Sequence, residues 1–189
     1  DRGIKIMGFF TIMGVDPGSR NLGISIFFID VKTLNIVDII SIPISLNKYN
    51  ILNTSRTGLT NRLAYLESEA ERIIESFNPL MIAVESGFIN PRMPGAVIPL
   101  ASAISTISYA AINIDPDILI VEYPPSIIKR AIGANPIGNK SPVFNALEKN
   151  MEIVELIDIY PLTEHCVDSI AIAYTALLEI REKGIQCLF

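Results

Sequence analysis

The chain predicts an α/β fold in which one mixed, five-stranded sheet carries helices on both faces. Three observations support this reading. Three apolar or alternating runs follow one another within the first 45 residues, joined by short polar connectors. Two further short apolar runs, Met81–Glu85 and Ile118–Glu122, are then separated by segments of helical period. Half of the 189 residues are hydrophobic but only 7% are aromatic and none is Trp, so the core must be built from branched aliphatics, which favours strands with packed helices.

Phe9 to Asp16 is apolar apart from Thr11, as expected of a central strand covered on both faces. Pro17-Gly18 turns the chain, and Leu22–Asp30 and Ile36–Ile44 complete an antiparallel meander. After a polar stretch, Leu59, Leu63, Leu66, Ala70, Ile73, Ile74 and Phe77 recur at helical spacing among acids and arginines, predicting an amphipathic helix that ends near Asn78-Pro79. Met81–Glu85 is a short buried strand ending in an acid. Pro/Gly-rich residues 90–95 lead into an alanine-rich helix over 96–114, and Ile118–Glu122 is stopped by Pro124-Pro125. Ser126–Ile132 predicts a short helix bearing Lys129 and Arg130. Lys140–Met151 predicts another, and Glu164–Lys183 a long final one.

A length of 189 residues fits a single domain with a substantial core, spanning 1–189. Residues 1–8, which start with Asp1, are expected to be a processed or added N-terminus and carry no functional argument. A net charge of -5 excludes a generally basic nucleic-acid surface, so any such partner must be held by a local cluster of Arg and Lys. Two cysteines and one histidine exclude a four-ligand structural zinc site and a disulfide scaffold. No secretory pattern opens the chain, so a reduced intracellular protein is expected. Met93–Ile114 has transmembrane length and no charge, yet its prolines, serines and alanines read as a small-faced helix packed tightly between other elements, with no membrane partner. The same face suits a dimer interface.

The candidate chemistry lies in acids at strand ends. Asp16 ends the first strand beside Ser19, Arg20 and Asn21, which offer hydroxyl, guanidinium and amide donors, while Gly18 and Gly23 let backbone approach a partner closely. A cation or a phosphate fits such a place; ordinary Asp-Pro-Gly turn chemistry explains Asp16 equally well. Glu85 ends the fourth strand. His165 and Asp168 stand three apart and share a face of the first turns of the last helix, where helix-dipole stabilisation is the competing account. Together these four side chains, drawn from three elements, form a metal-ligand set if they converge.

Residues 14–26, GVDPGSRNLGISI, with VESGF at 84–88 and HCVDSIAIA at 165–173, resemble in order the motifs of the RuvC family of Holliday-junction resolvases, within the ribonuclease H-like superfamily. The resemblance runs from about Ile12 to Leu178. It implies a ribonuclease H-like fold and a crossover junction endodeoxyribonuclease, a homodimer that resolves four-way DNA junctions by paired, metal-dependent phosphodiester hydrolysis. It implies Asp16, Glu85, His165 and Asp168 as catalytic metal ligands, and Lys129 and Lys140 as the lysines flanking the active site. Phe88 matches an aromatic that stacks on an unpaired base; core packing is its other reading. Many members carry Asp where His165 stands, and Glu164 is a spare acid beside it.

Hard carboxylate oxygens select Mg²⁺, with Mn²⁺ substituting, and two ions per site suit phosphodiester hydrolysis. Ser19, Arg20, Phe88, Arg92, Lys129, Arg130 and Lys140 are the expected DNA contacts, a local basic track on an acidic protein. The alternatives are a non-catalytic binder of branched DNA and a phosphotransferase of the actin and sugar-kinase type, whose phosphate hairpin also reads Asp-x-Gly-Ser/Thr. The latter lacks a second Gly-rich motif here and leaves the His-x-x-Asp helix unexplained.

Overall fold

The computed structural model describes residues 8–18, 20–46, 55–86, 95, 97–134 and 141–188, with backbone alone at 55–57, 187 and 188. Five strands, β1 (Phe9–Asp16), β2 (Asn21–Asp30), β3 (Ile36–Ser45), β4 (Met81–Glu85) and β5 (Leu119–Tyr123), form one sheet in the order β3-β2-β1-β4-β5. The first three are the expected antiparallel meander, while β4 runs parallel to β1 and β5 parallel to β4. β5 lies one residue later than the apolar run suggested, because Tyr123 is buried at its end while Ile118 still belongs to the turn from Asp115.

Among the described residues six helices cover the sheet: α1 (Ser55–Phe77), α2 (Val97–Ile114), α3 (Pro125–Ala131), α4 (Pro142–Leu147), α5 (Met151–Val154) and α6 (Glu164–Lys183), followed by a 3₁₀ turn, Ile185–Leu188. On one face Leu66, Ala70, Ile73 and Ile74 of α1 and Ala103, Ile107, Ala110 and Ala111 of α2 pack over Met13, Val15, Ile24, Ile82 and Val84. On the other, α6 leads a layer in which Ile170, Ala173 and Leu177 meet Ile12, Phe27 and Ala83. β1 is thus buried from both sides, as its unbroken apolar run required. Its one polar core residue, Thr11, donates its hydroxyl to the Phe77 carbonyl at 2.9 Å and so ties off the end of α1.

Two expectations need correction. The helix expected over Lys140–Met151 is two: Asn150 turns the chain after Leu147 by donating its N–H to the Leu147 carbonyl at 2.9 Å, and α5 starts afresh at Met151. Among the described elements, α2 is not packed on both sides. It lies against α1 on one side, while Ile98, Tyr109 and Ile112 are 72%, 66% and 47% exposed on the other. By length and composition α2 is apolar enough to cross a membrane.

Candidate active site

Strand alternation decides which side chains reach α6. Successive residues of a strand point to opposite faces, and Ile12 and Ala83 face the α6 layer whereas Met13, Val15, Ile82 and Val84 face α1 and α2. By the same parity Asp16 and Glu85 point towards α6. Their strands are adjacent and parallel, with Val15 beside Val84, so the two acids sit at neighbouring carboxyl ends of the sheet. This is where open α/β sheets place their ligands.

α6 delivers the other two groups. Thr163 is its N-cap, its hydroxyl accepting the Cys166 N–H at 3.3 Å. Capping therefore falls to Thr163, and His165 and Asp168 are free to face the sheet. His165 Nδ1 lies 2.6 Å from Asp16 Oδ2, joining residues 149 apart in sequence. Asp168 is largely buried, and its Oδ1 has no hydrogen-bond partner among the described residues.

The electrostatics confirm one neighbourhood. Burial, then the charges of Asp16 and Glu85, push the Asp168 carboxyl up to about 7. Burial and the Asp16 charge raise Glu85 to about 7, opposed by the Lys129 ammonium. The hydrogen bond to Asp16 raises the His165 imidazole above its ordinary value. Among the described residues no three His, Cys, Asp or Glu side chains already stand together at ligand distance. The fit to a cation rests instead on the donor set: a partnerless buried carboxylate oxygen beside two other acids whose charges repel one another is relieved by a bound divalent cation.

The structure therefore brings Asp16, Glu85, His165 and Asp168 together, and places Lys129 near enough to Glu85 to act on its charge. Lys129 and Arg130 are exposed in the last turn of α3, and Arg20 is exposed in the β1–β2 connection at the same end of the sheet. Ser19, Phe88, Arg92 and Lys140 lie outside the described residues. Gly18 and Gly23 do leave room for close approach, but the occupant is the protein's own backbone: a Cβ at Gly18 would overlap the Asn21 carbonyl, and one at Gly23 the carbonyl of His165. Sequence reading missed Gly14 and Ser25, which stand two residues from Asp16 and Gly23 and so share their face; strand parity was the available signal.

The family described as Crossover junction endodeoxyribonuclease RuvC matches residues 12–176. A protein of that name from Finegoldia magna is 25% identical over 164 residues, 86% of this chain and 89% of its own. One from Actinobacillus succinogenes is 28% identical over 172 residues, 91% of this chain and 81% of its own. The structure of Thermus thermophilus RuvC in complex with a Holliday junction substrate superposes with a TM-score of 0.71 at 19% identity, covering 92% of this chain and 96% of that one. With its motifs in order and its acids gathered at the same end of a matching fold, the chain belongs to the RuvC family of crossover junction endodeoxyribonucleases.

Proposed function

We propose that this protein is a structure-selective endonuclease, folded as one nuclease domain, that resolves four-way DNA junctions by paired cuts. The observation that carries it is the meeting of Asp16, Glu85, His165 and Asp168 from β1, β4 and α6 in a chain of this family. The same meeting, and the family, tell against a phosphotransferase of the actin type.

The catalytic groups are Asp16, Glu85, His165 and Asp168, which would hold Mg²⁺ or, in its place, Mn²⁺, two ions per site. When bound, such ions lower the pKa of water and offset the charge that builds on the phosphate and the leaving 3′-oxygen. The rest of the task falls to the chain. Asp16 is the group that acts on all three others, pairing with His165 and bearing by charge on Glu85 and Asp168. Its hydrogen bond fixes the His165 ring, leaving Nε2 as the nitrogen directed away from Asp16. Lys129 supplies positive charge beside Glu85, where a scissile phosphate must come, and Lys140 is its expected counterpart. Arg20 and Arg130, with Ser19, Phe88 and Arg92, extend the DNA track. A four-way junction is twofold symmetric, so two coordinated cuts call for a homodimer; the exposed apolar face of α2 supports this.

The test is a gel of labelled four-way, Y-shaped and linear duplex DNA incubated with the protein in Mg²⁺ or Mn²⁺. Symmetric nicks in the four-way junction alone are expected. Asp16→Asn is expected to bind the junction as the parent does and to leave it uncut. Equal cutting of linear duplex, or cutting that survives Asp16→Asn, overturns the reading.

A further inference from the structure

Gly14, Gly23 and Ser25 lie on the α6-facing side of β1 and β2, with Gly14 directly opposite Ser25 in the antiparallel register. A Cβ at Gly23 would overlap the His165 carbonyl and stand 2.6 Å from the Cys166 nitrogen. One at Gly14 would overlap the Ser169 carbonyl and stand 2.8 Å from Ala173 Cβ. Two strands therefore touch α6 backbone to backbone along the turns that carry His165 and Asp168. Ser25, fully buried, adds a polar latch: its hydroxyl donates to the Ser169 carbonyl at 2.7 Å. The Ser169 hydroxyl in turn donates to the Cys166 carbonyl at 2.8 Å.

We propose that Gly14, Gly23 and Ser25 are positioning residues that set the depth and rotation of α6 on the sheet, and through it the approach of His165 and Asp168 to Asp16 and Glu85. The glycines set the depth, because any side chain there must lift the helix off the strands. Ser25 sets the rotation, because it grips a carbonyl in the turn directly after Asp168. Hydrophobic contacts elsewhere along α6 hold the helix down without fixing either coordinate to the accuracy that shared ligands need, and a misplacement of about 1 Å costs catalysis on the order of 100-fold. This inference rests on the nuclease reading above, and its test separates the two.

Gly23→Ala, Ser25→Ala and, as a control at the far end of the same helix, Ile180→Val are compared with the parent. Each is titrated with Mn²⁺ alone, followed by the rise in melting temperature, and assayed for junction binding without divalent ions and for cutting across the same titration. Gly23→Ala is expected to raise the half-saturating Mn²⁺ roughly tenfold or more, to slow cutting about 100-fold, and to bind junction as the parent does. Ser25→Ala is expected to shift the Mn²⁺ midpoint in the same direction by a smaller factor, and it carries the test if Gly23→Ala does not fold. Ile180→Val should melt lower with its midpoint unmoved. Parent-like midpoints in both Gly23→Ala and Ser25→Ala, or an equal shift in Ile180→Val, overturn the inference. A parent protein that takes up Mn²⁺ but cuts no branched DNA overturns the nuclease reading instead, and the metal midpoints still judge the positioning.

Discussion

Asp168 is held in a conflict that only a cation or a proton resolves. Its carboxyl is buried, one oxygen is without a partner among the described residues, and Asp16 and Glu85 raise its pKa further, to about 7. In the unfolded chain the same group titrates near 3.8. Between roughly pH 4 and 7 the folded protein therefore binds more protons than the unfolded one, so in the absence of divalent ions stability falls as pH rises through that window. Glu85, raised from 4.5 to about 7, adds a slope of the same sign. Asp168→Asn should accordingly melt higher than the parent at pH 8 in chelator, by a gain on the order of 1–3 kcal/mol, and by a clearly smaller margin at pH 5, while losing all cutting. Thermal melts at the two pH values check this; a variant that melts lower at pH 8 would show Asp168 to be a stabilising residue. Divalent ions should reverse the trend, since they bind the ionised carboxylates and stabilise the fold by mass action. The half-saturating Mn²⁺ should then fall as pH rises from 6 to 8.

Among the elements, α6 joins structure to chemistry. It lies over β1 and β2, seats its first turns on Gly14 and Gly23, and is capped by Thr163. Thr163→Ala removes the acceptor for the Cys166 N–H and should cost about 1 kcal/mol, read as a lower denaturation midpoint with an unchanged m-value; no change would assign the capping elsewhere. The element itself was plain in the sequence, where Val167, Ile170, Ala171, Tyr174 and Leu177 recur at helical spacing, and so were Asp16 and Glu85 as acids ending apolar strands. What the sequence left open was the direction of each side chain. Reading Ile12-Gly14-Asp16, Gly23-Ser25 and Met81-Ala83-Glu85 as single-face sets would have supplied it, but only once the partner face of the sheet is known. The break between α4 and α5 was hidden for another reason: Glu148, Lys149 and Asn150 are compatible with a helix, and tertiary packing of Leu147 and Ile153 decides otherwise.

At the scale of the molecule, two apolar layers on either face of one sheet divide the labour. The α6 layer holds the side where Asp16, Glu85, His165 and Asp168 gather, and the α1 and α2 layer presents an outer apolar face. That face was legible only in part: its small residues marked close packing, but Ala103, Ala110 and Ala111 spend that closeness on α1, leaving Ile98, Tyr109 and Ile112 outward. A charge placed there, as in Tyr109→Asp, should convert a dimer into monomers in analytical ultracentrifugation with the fold intact, and should uncouple the two cuts so that single nicks accumulate. An unchanged sedimentation coefficient would move the interface off α2.

The opposite pole of the sheet is bolted. Arg181, near the end of α6, donates Nε–H to the Leu34 carbonyl at 3.0 Å and pairs with Glu152 at 2.9 Å, while Asp30 folds Lys32 and Thr33 into a closed turn. At 1.5 Å per residue, α6 carries the chain about 24 Å from that bolt to His165. A tether attached at Lys32 would therefore anchor the protein to a bead or a sensor chip with its cutting edge turned outward, a ready geometry for watching single junctions arrive and leave.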